Sequence, residues 1–128
     1  MSAPEVVPVV KRLTQEGIAR YADASGDHNP IHIDEAFARA TPFGGTIAHG
    51  MLVLAAISEM MTAAFGEAWL SRGKLRVRFR APARPGDTIS ARAQPQAGGE
   101  DTWAYSVECR NEKDELLING TAEVPAIG

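Results

Sequence analysis

The segment Ser25-Gly26-Asp27-His28-Asn29-Pro30-Ile31-His32 sets a carboxylate, Asp27, and an imidazole, His32, on either side of an Asn-Pro pair. Gly26, Asp27, Asn29 and Pro30 are turn formers, so the stretch reads as a stiff turn rather than a helix. Two titratable groups held on such a turn suit general acid/base work. Downstream, Gly44-Gly45-Thr46-Ile47-Ala48-His49-Gly50-Met51 leads into a long apolar run. A helix opening at Gly50 leaves backbone N–H groups unpaired, where they can face a developing negative charge. The chain thus offers an acid/base pair and an oxyanion site.

The elements around these residues follow from pattern. Val6 to Thr14 is β-branched and broken by Pro8, as in an entering or edge strand. Thr14 can cap a helix to about Ala24, with Ile18, Tyr21 and Ala22 at helical spacing, and Asp34 can cap a short one over Glu35 to Ala40. After the long helix the period changes from helix to strand. Leu75, Val77, Phe79 and Ala81 alternate with Lys74, Arg76, Arg78 and Arg80, predicting one buried and one wet face. Pro82 to Asp87 turns the chain, and Ile89 to Ala93, Trp103 to Arg110 and Glu115 to Val124 read as three more strands. Four consecutive strands with short connections predict an antiparallel meander. A meander and one apolar helix must bury each other, giving an α+β fold with the sheet wrapped around the helix.

The 128 residues fit one domain, expected over 1–128, and 45% hydrophobic with 23% charged residues is close to the globular average. A net charge of -3 gives no electrostatic case for nucleic acid; basic residues cluster once, at Arg72, Lys74, Arg76, Arg78 and Arg80. Cys109 is the single cysteine, and the first ten residues carry two prolines, an acid and no basic start, so a reducing, cytoplasmic setting is expected. Ser58, Glu59 and Thr62 interrupt the apolar run from Gly50 to Gly66, which fits a buried helix better than a membrane span.

The loop Asp27-x-Asn29-Pro30-x-His32, the stretch Ala48-His49-Gly50-Met51, and Phe79-Arg80-Ala81-Pro82 leading to Gly86-Asp87 resemble the MaoC-like, R-specific enoyl-CoA hydratases of the hot-dog fold. The resemblance covers nearly the whole chain. It implies reversible hydration of a 2-enoyl thioester to an (R)-3-hydroxyacyl thioester. Asp27 and His32 would activate water, and Gly50 N–H would hold the thioester carbonyl. Ser58, Asn29 and His49 fall where supporting residues are expected, Ser58 through the resemblance and His49 as a packing or hydrogen-bonding residue at the helix start. An acyl-CoA or carrier-bound acyl substrate, no cofactor, and a homodimer or dimer of dimers are likewise implied. The chemistry fits the residue types: a base takes a proton from water, an acid protonates the α-carbon, and an N–H stabilises the enolate between these steps. Which of Asp27 and His32 moves which proton stays open.

Other roles are available to the same residues. Asp27 and Asn29 could serve only as Asx-turn acceptors, and His32 could be a satisfied core histidine. Pro30 between His28 and His32 disfavours the helix that would align them on a metal, and no third ligand is evident in the sequence. A hot-dog thioesterase would use an acid on the central helix, and Glu59 is the only one there. A non-catalytic subunit of a heteromeric dehydratase would typically lack the Asp27/His32 pair. The arginine series is a solvated face with a second use as a phosphate contact for the acyl carrier. Met51, Leu54, Met60, Met61, Phe65 and Trp69 are candidate neighbours of an acyl tunnel, and a short or medium acyl chain is expected.

Overall fold

The computed structural model describes residues 2–126; Met1, Ile127 and Gly128, part of the single unit expected over 1–128, lie outside the described residues. In chain order the elements are β1 (Val9–Arg12), α1 (Gln15–Ser25), α2 (Pro30–Ile33), α3 (Glu35–Arg39), α4 (Gly50–Phe65), α5 (Glu67–Arg72), β2 (Lys74–Phe79), β3 (Thr88–Gln96), β4 (Thr102–Arg110) and β5 (Leu116–Pro125). The strands form one antiparallel sheet in the order β1-β3-β4-β5-β2. No helix among the described residues is long and apolar enough to cross a membrane.

The core sits between the sheet and α4. Val53, Ala56, Ile57, Met60 and Met61 recur at helical spacing and are buried, while Met51, Ala55 and Glu59 face outward. Against the buried stripe lie Ile89, Tyr105, Val107, Leu117 and Val124 from the inner face of the sheet. Each large side chain so buried contributes about 1.5–3 kcal/mol, which makes this contact the main stabiliser of α4. Tyr105, at 0% exposure, donates its hydroxyl to the Pro4 carbonyl at 2.6 Å and so satisfies its polar end.

Two helix starts follow the sequence closely. Thr14 Oγ1 accepts from Gly17 N–H at 2.9 Å, and Asp34 Oδ1 accepts from Phe37 N–H at 3.1 Å. The Asn29-Pro30 stretch departs from expectation, because Pro30 does not exclude helix but opens one. Proline's fixed φ and missing N–H suit the first helical position, and Asn29 Oδ1 caps the turn by accepting from Ile31 N–H at 3.1 Å. A further short helix, α5, also escapes the sequence pattern; it follows Gly66, whose φ of 54° ends α4.

The meander expectation holds for β3, β4 and β5 but not for β2. Strand β2 pairs with β5, in a register that sets Val77 opposite Gly120, and not with its successor β3. A Cβ at Gly120 would lie 1.9 Å from the Arg76 carbonyl oxygen, so this pairing depends on glycine there. The connection from β2 to β3 therefore crosses the sheet instead of turning back. Pro82 and Pro85 deny it ladder donors, and it bonds elsewhere: Arg80 N–H to Leu117 O at 2.7 Å, Ala48 N–H to Ala83 O at 2.8 Å, and Leu13 N–H to Asp87 O at 2.8 Å. The crossing carries Pro82 and Ala83 past the start of α4. Phe79, expected inside, is 54% exposed because β2 lies at the sheet edge and its last residue overhangs that same start.

Candidate active site

Gly26 ends α1 with φ 81°, its N–H reaching Ala22 O at 2.9 Å, and the left-handed turn brings Asp27 out of the helix. Asp27 N–H donates to Ser25 Oγ at 3.1 Å, and Asp27 Oδ1 accepts from Asn29 N–H at 3.2 Å. The Asx turn is thus real, but it occupies only Oδ1. Oδ2 is left for His32, whose Nε2 stands 3.8 Å away.

His32 rides on α2, with its side chain only 11% exposed against 54% for Asp27. Its Nδ1 lies 2.8 Å from the Ile47 carbonyl. A carbonyl can only accept, so Nδ1 carries the hydrogen and the lone pair is on Nε2, the atom turned toward Asp27. Gln15 Nε2 donates to the His32 carbonyl at 2.8 Å, and Gln15 Oε1 accepts from Thr46 Oγ1 at 2.8 Å, tying α1 to the segment before α4. Backbone and side chain of His32 are therefore both fixed.

His49 closes the group from the other side. Its Nε2 is 2.9 Å from the Asp27 carbonyl, its ring stacks on His32 at 3.8 Å and 25°, and Tyr21 meets it edge-on at 4.7 Å. The next residue, Gly50, opens α4. Helices α1, α2 and α3 are capped by side chains, whereas α4 has no side-chain cap. Leu52 and Val53 N–H already reach back to the His49 carbonyl, and Gly50 N–H has no acceptor among the described residues. This donor stands at the positive end of the α4 dipole, and Gly50 lines a groove of about 320 Å³ with Phe43, Ile47, Val53, Phe79 and Ile118, a groove whose lining does not include Asp27 or His32.

The remaining expected residues separate from this cluster. Asn29 serves as the cap of α2. Ser58 lies two turns down α4, where its Oγ accepts from Trp69 Nε1 at 3.2 Å on α5, with no hydrogen bond to Asp27 or His32. Met51, Leu54, Met60, Met61, Phe65 and Trp69 do not line the groove beside Gly50; Met60 and Met61 are spent in the core at 0% exposure. Glu59 pairs with Lys11 at 2.7 Å on the outer face of α4, away from the groove. His28 turns back to Asp23 at 2.9 Å, and that hydrogen bond raises its pKa from the ordinary histidine value. Arg76 and Arg78 lie on an exposed sheet face, and Arg80 Nε donates to Asn119 Oδ1 at 2.9 Å.

A third histidine does approach the pair, contrary to what the sequence showed. Nitrogen or oxygen atoms of Asp27, His32 and His49 all lie within 4.8 Å of one another. They do not fit a shared metal ion. A ligated imidazole puts the ion in its ring plane, and two planes stacked at 3.8 Å and inclined by 25° do not meet within bonding reach. His49 Nε2 is moreover committed to the Asp27 carbonyl.

The sheet and its central helix, with Asp27 and His32 beside that helix's start, define a hot-dog domain of the α+β class. The chain belongs to the MaoC like domain family, whose model matches residues 4–115. It is 34% identical over 118 residues to the 3-hydroxybutyryl-CoA dehydratase of Methylorubrum extorquens, covering 89% of this chain and 73% of that one. Identity to the 3-hydroxyacyl-thioester dehydratase Z of Mycobacterium tuberculosis is 41% over 83 residues, 62% of this chain and 55% of that one, so the chain spans little more than half of that relative. The (R)-specific enoyl-CoA hydratase of Aeromonas caviae is 33% identical over 120 residues, covering 89% of this chain and 87% of that one. The solved structure of the (R)-hydratase from A. caviae superposes with a TM-score of 0.82 at 26% identity, covering 98% of each chain.

Proposed function

We propose that this protein interconverts a 2-enoyl thioester and an (R)-3-hydroxyacyl thioester. The observation that carries it is the 3.8 Å gap between Asp27 Oδ2 and His32 Nε2, with the His32 lone pair fixed on the side of the gap by Ile47 O. A water about 2.8 Å from each atom fits there and donates one hydrogen to each. Its oxygen is then free to attack the β-carbon. One proton passes from water to the pair, the pair returns one to the α-carbon, and the thioester oxygen bears negative charge in between. Gly50 N–H, exposed at the head of α4, meets that oxygen.

The relatives' names support the same chemistry, since each is called a hydratase or a dehydratase. They differ in the acyl group and its carrier. For this chain a short acyl group on coenzyme A is the substrate proposed, in line with the coenzyme A thioesters in two of the relatives' names. Thioester hydrolysis through Glu59 is disfavoured because its carboxylate is paired with Lys11 at 2.7 Å. Mixing the protein with crotonyl-CoA should bleach the conjugated enoyl-thioester absorbance without releasing thiol. Unchanged absorbance with short and longer 2-enoyl-CoA substrates overturns the proposal.

The functional unit proposed is a homodimer in a cytoplasmic setting. Phe43 and Phe79 on the groove wall are 41% and 54% exposed, Met51 on the first turn of α4 outside the groove is 58% exposed, and β2 has an open edge; a second copy would cover these apolar side chains. Light scattering should give twice the chain mass; the mass of one chain removes this part of the proposal. Cys109, at 0% exposure, has its thiol pushed up to about 12 by burial and is suited to a reducing compartment.

A further inference from the structure

We infer that His49 is a positioning residue that holds the acid/base pair in register with the Gly50 donor. The inference rests on the hydration chemistry proposed above and concerns a group that chemistry does not use.

His49 is 3% exposed and lies where four elements meet. It precedes α4, stacks on His32 of α2, takes the edge of Tyr21 from α1, and bonds the loop between them at Asp27. Because the Asp27 carbonyl can only accept, His49 Nε2 carries the hydrogen. Its Nδ1 is buried with no partner among the described residues. An apolar ring would fill the same space without stranding a nitrogen, so packing alone does not account for an imidazole. The Nε2–H bond does.

That bond is unusual in its reach. Residues Gly26 to Asn29 otherwise bond only among themselves and to α1 and α2: Gly26 N–H to Ala22 O, Asp27 N–H to Ser25 Oγ, Asn29 N–H to Asp27 Oδ1, and His28 to Asp23. Among the described residues, the His49 contact is the one hydrogen bond from this loop to the segment that begins α4. Asp27, half exposed, has little packing to hold it. His49 thus fixes the Asp27 backbone with one nitrogen and the plane of the His32 ring with its face, while its own carbonyl receives Leu52 and Val53 N–H. Asp27 and the Gly50 donor are set relative to each other through this residue, while His32 is tied to the same segment through Ile47. Misplacement by about 1 Å costs on the order of a hundredfold in rate.

The test is a double-mutant cycle on the full chain with crotonyl-CoA. His49→Phe keeps a flat ring against His32 and removes the donor. Its kcat should fall about 10- to 100-fold with KM changed less than about threefold, since His49 does not touch substrate. In an Asp27→Asn background the same substitution should cost little more, because its effect passes through Asp27. His49→Gln, which returns a donor, should recover part of the lost kcat, and it serves in the same cycle if the phenylalanine variant does not fold. Fully additive losses, or a lowered melting temperature with unchanged kcat per folded enzyme, overturn the inference while leaving the reaction intact. No turnover by the wild type overturns the reaction itself.

Discussion

Asp27→Asn should lower kcat by about two to four powers of ten with almost no change in folding stability. The substitution keeps an oxygen that can accept from Asn29 N–H at the Asx turn, now 3.2 Å, and loses only the second carboxylate oxygen. That oxygen, Oδ2, is the one 3.8 Å from His32 Nε2. An amide nitrogen in its place donates where the water must donate, so the water loses one acceptor and the base its charge. Asp27 is half exposed, which is why the fold is indifferent to the change. His32→Ala should be as severe in rate but costlier in stability, since it strands the Ile47 carbonyl and empties a place in the stack with His49. The double variant should be scarcely worse than either single one, because in the proposed reaction the two residues act on one water. Steady-state kinetics beside thermal melts separate these outcomes. A fully active Asp27→Asn protein would leave the Asx turn as the residue's only role.

The second large effect is expected from a change that removes one hydrogen. Gly50→Pro deletes the N–H at the first position of α4, the one helical position that tolerates proline. His49 already has φ -60° and ψ 134°, the extended conformation a residue before proline needs. The helix should therefore persist, and kcat should fall by about two to three powers of ten, the usual cost of one oxyanion donor. Gly50→Ala is the control for bulk. Its Cβ would come 3.0 Å from the Phe79 ring, a half-exposed side chain that can move aside, so the loss should be much smaller. Equal losses in the two variants would assign the effect to crowding of the groove and not to the N–H.

Much of the candidate site's layout was legible in the sequence because it is local. Asp27 and His32 lie on one short segment, and Gly50 is marked by the apolar run that follows it. Thr14 and Asp34 announce their helices by cap chemistry. What escaped was whatever depends on distant chain. The alternation of Leu75 and Val77 tells which face of β2 is inward but not that its neighbour is β5, and this pairing puts the Phe79 ring over Gly50. Ile47 contributes a backbone carbonyl, which no residue type betrays, yet it fixes the His32 tautomer. The stack of His49 on His32 joins residues with a loop, a short helix and a connection between them. Pro30, which disfavours a helix running through His28 to His32, starts one of its own. Ser58, expected as a supporting residue through the resemblance, has Trp69 as its visible partner, a role that spacing along α4 could not give.

The central claim is that this chain adds water to a carbon–carbon double bond and leaves the thioester whole. Mass spectrometry of the product formed from crotonyl-CoA in oxygen-18 water tests it most directly. The account predicts an intact coenzyme A thioester heavier by one labelled water, with the label in the hydroxyl on the β-carbon and none formed by Asp27→Asn on the same timescale. Label in a free carboxylate beside released thiol, with the double bond unchanged, would contradict it.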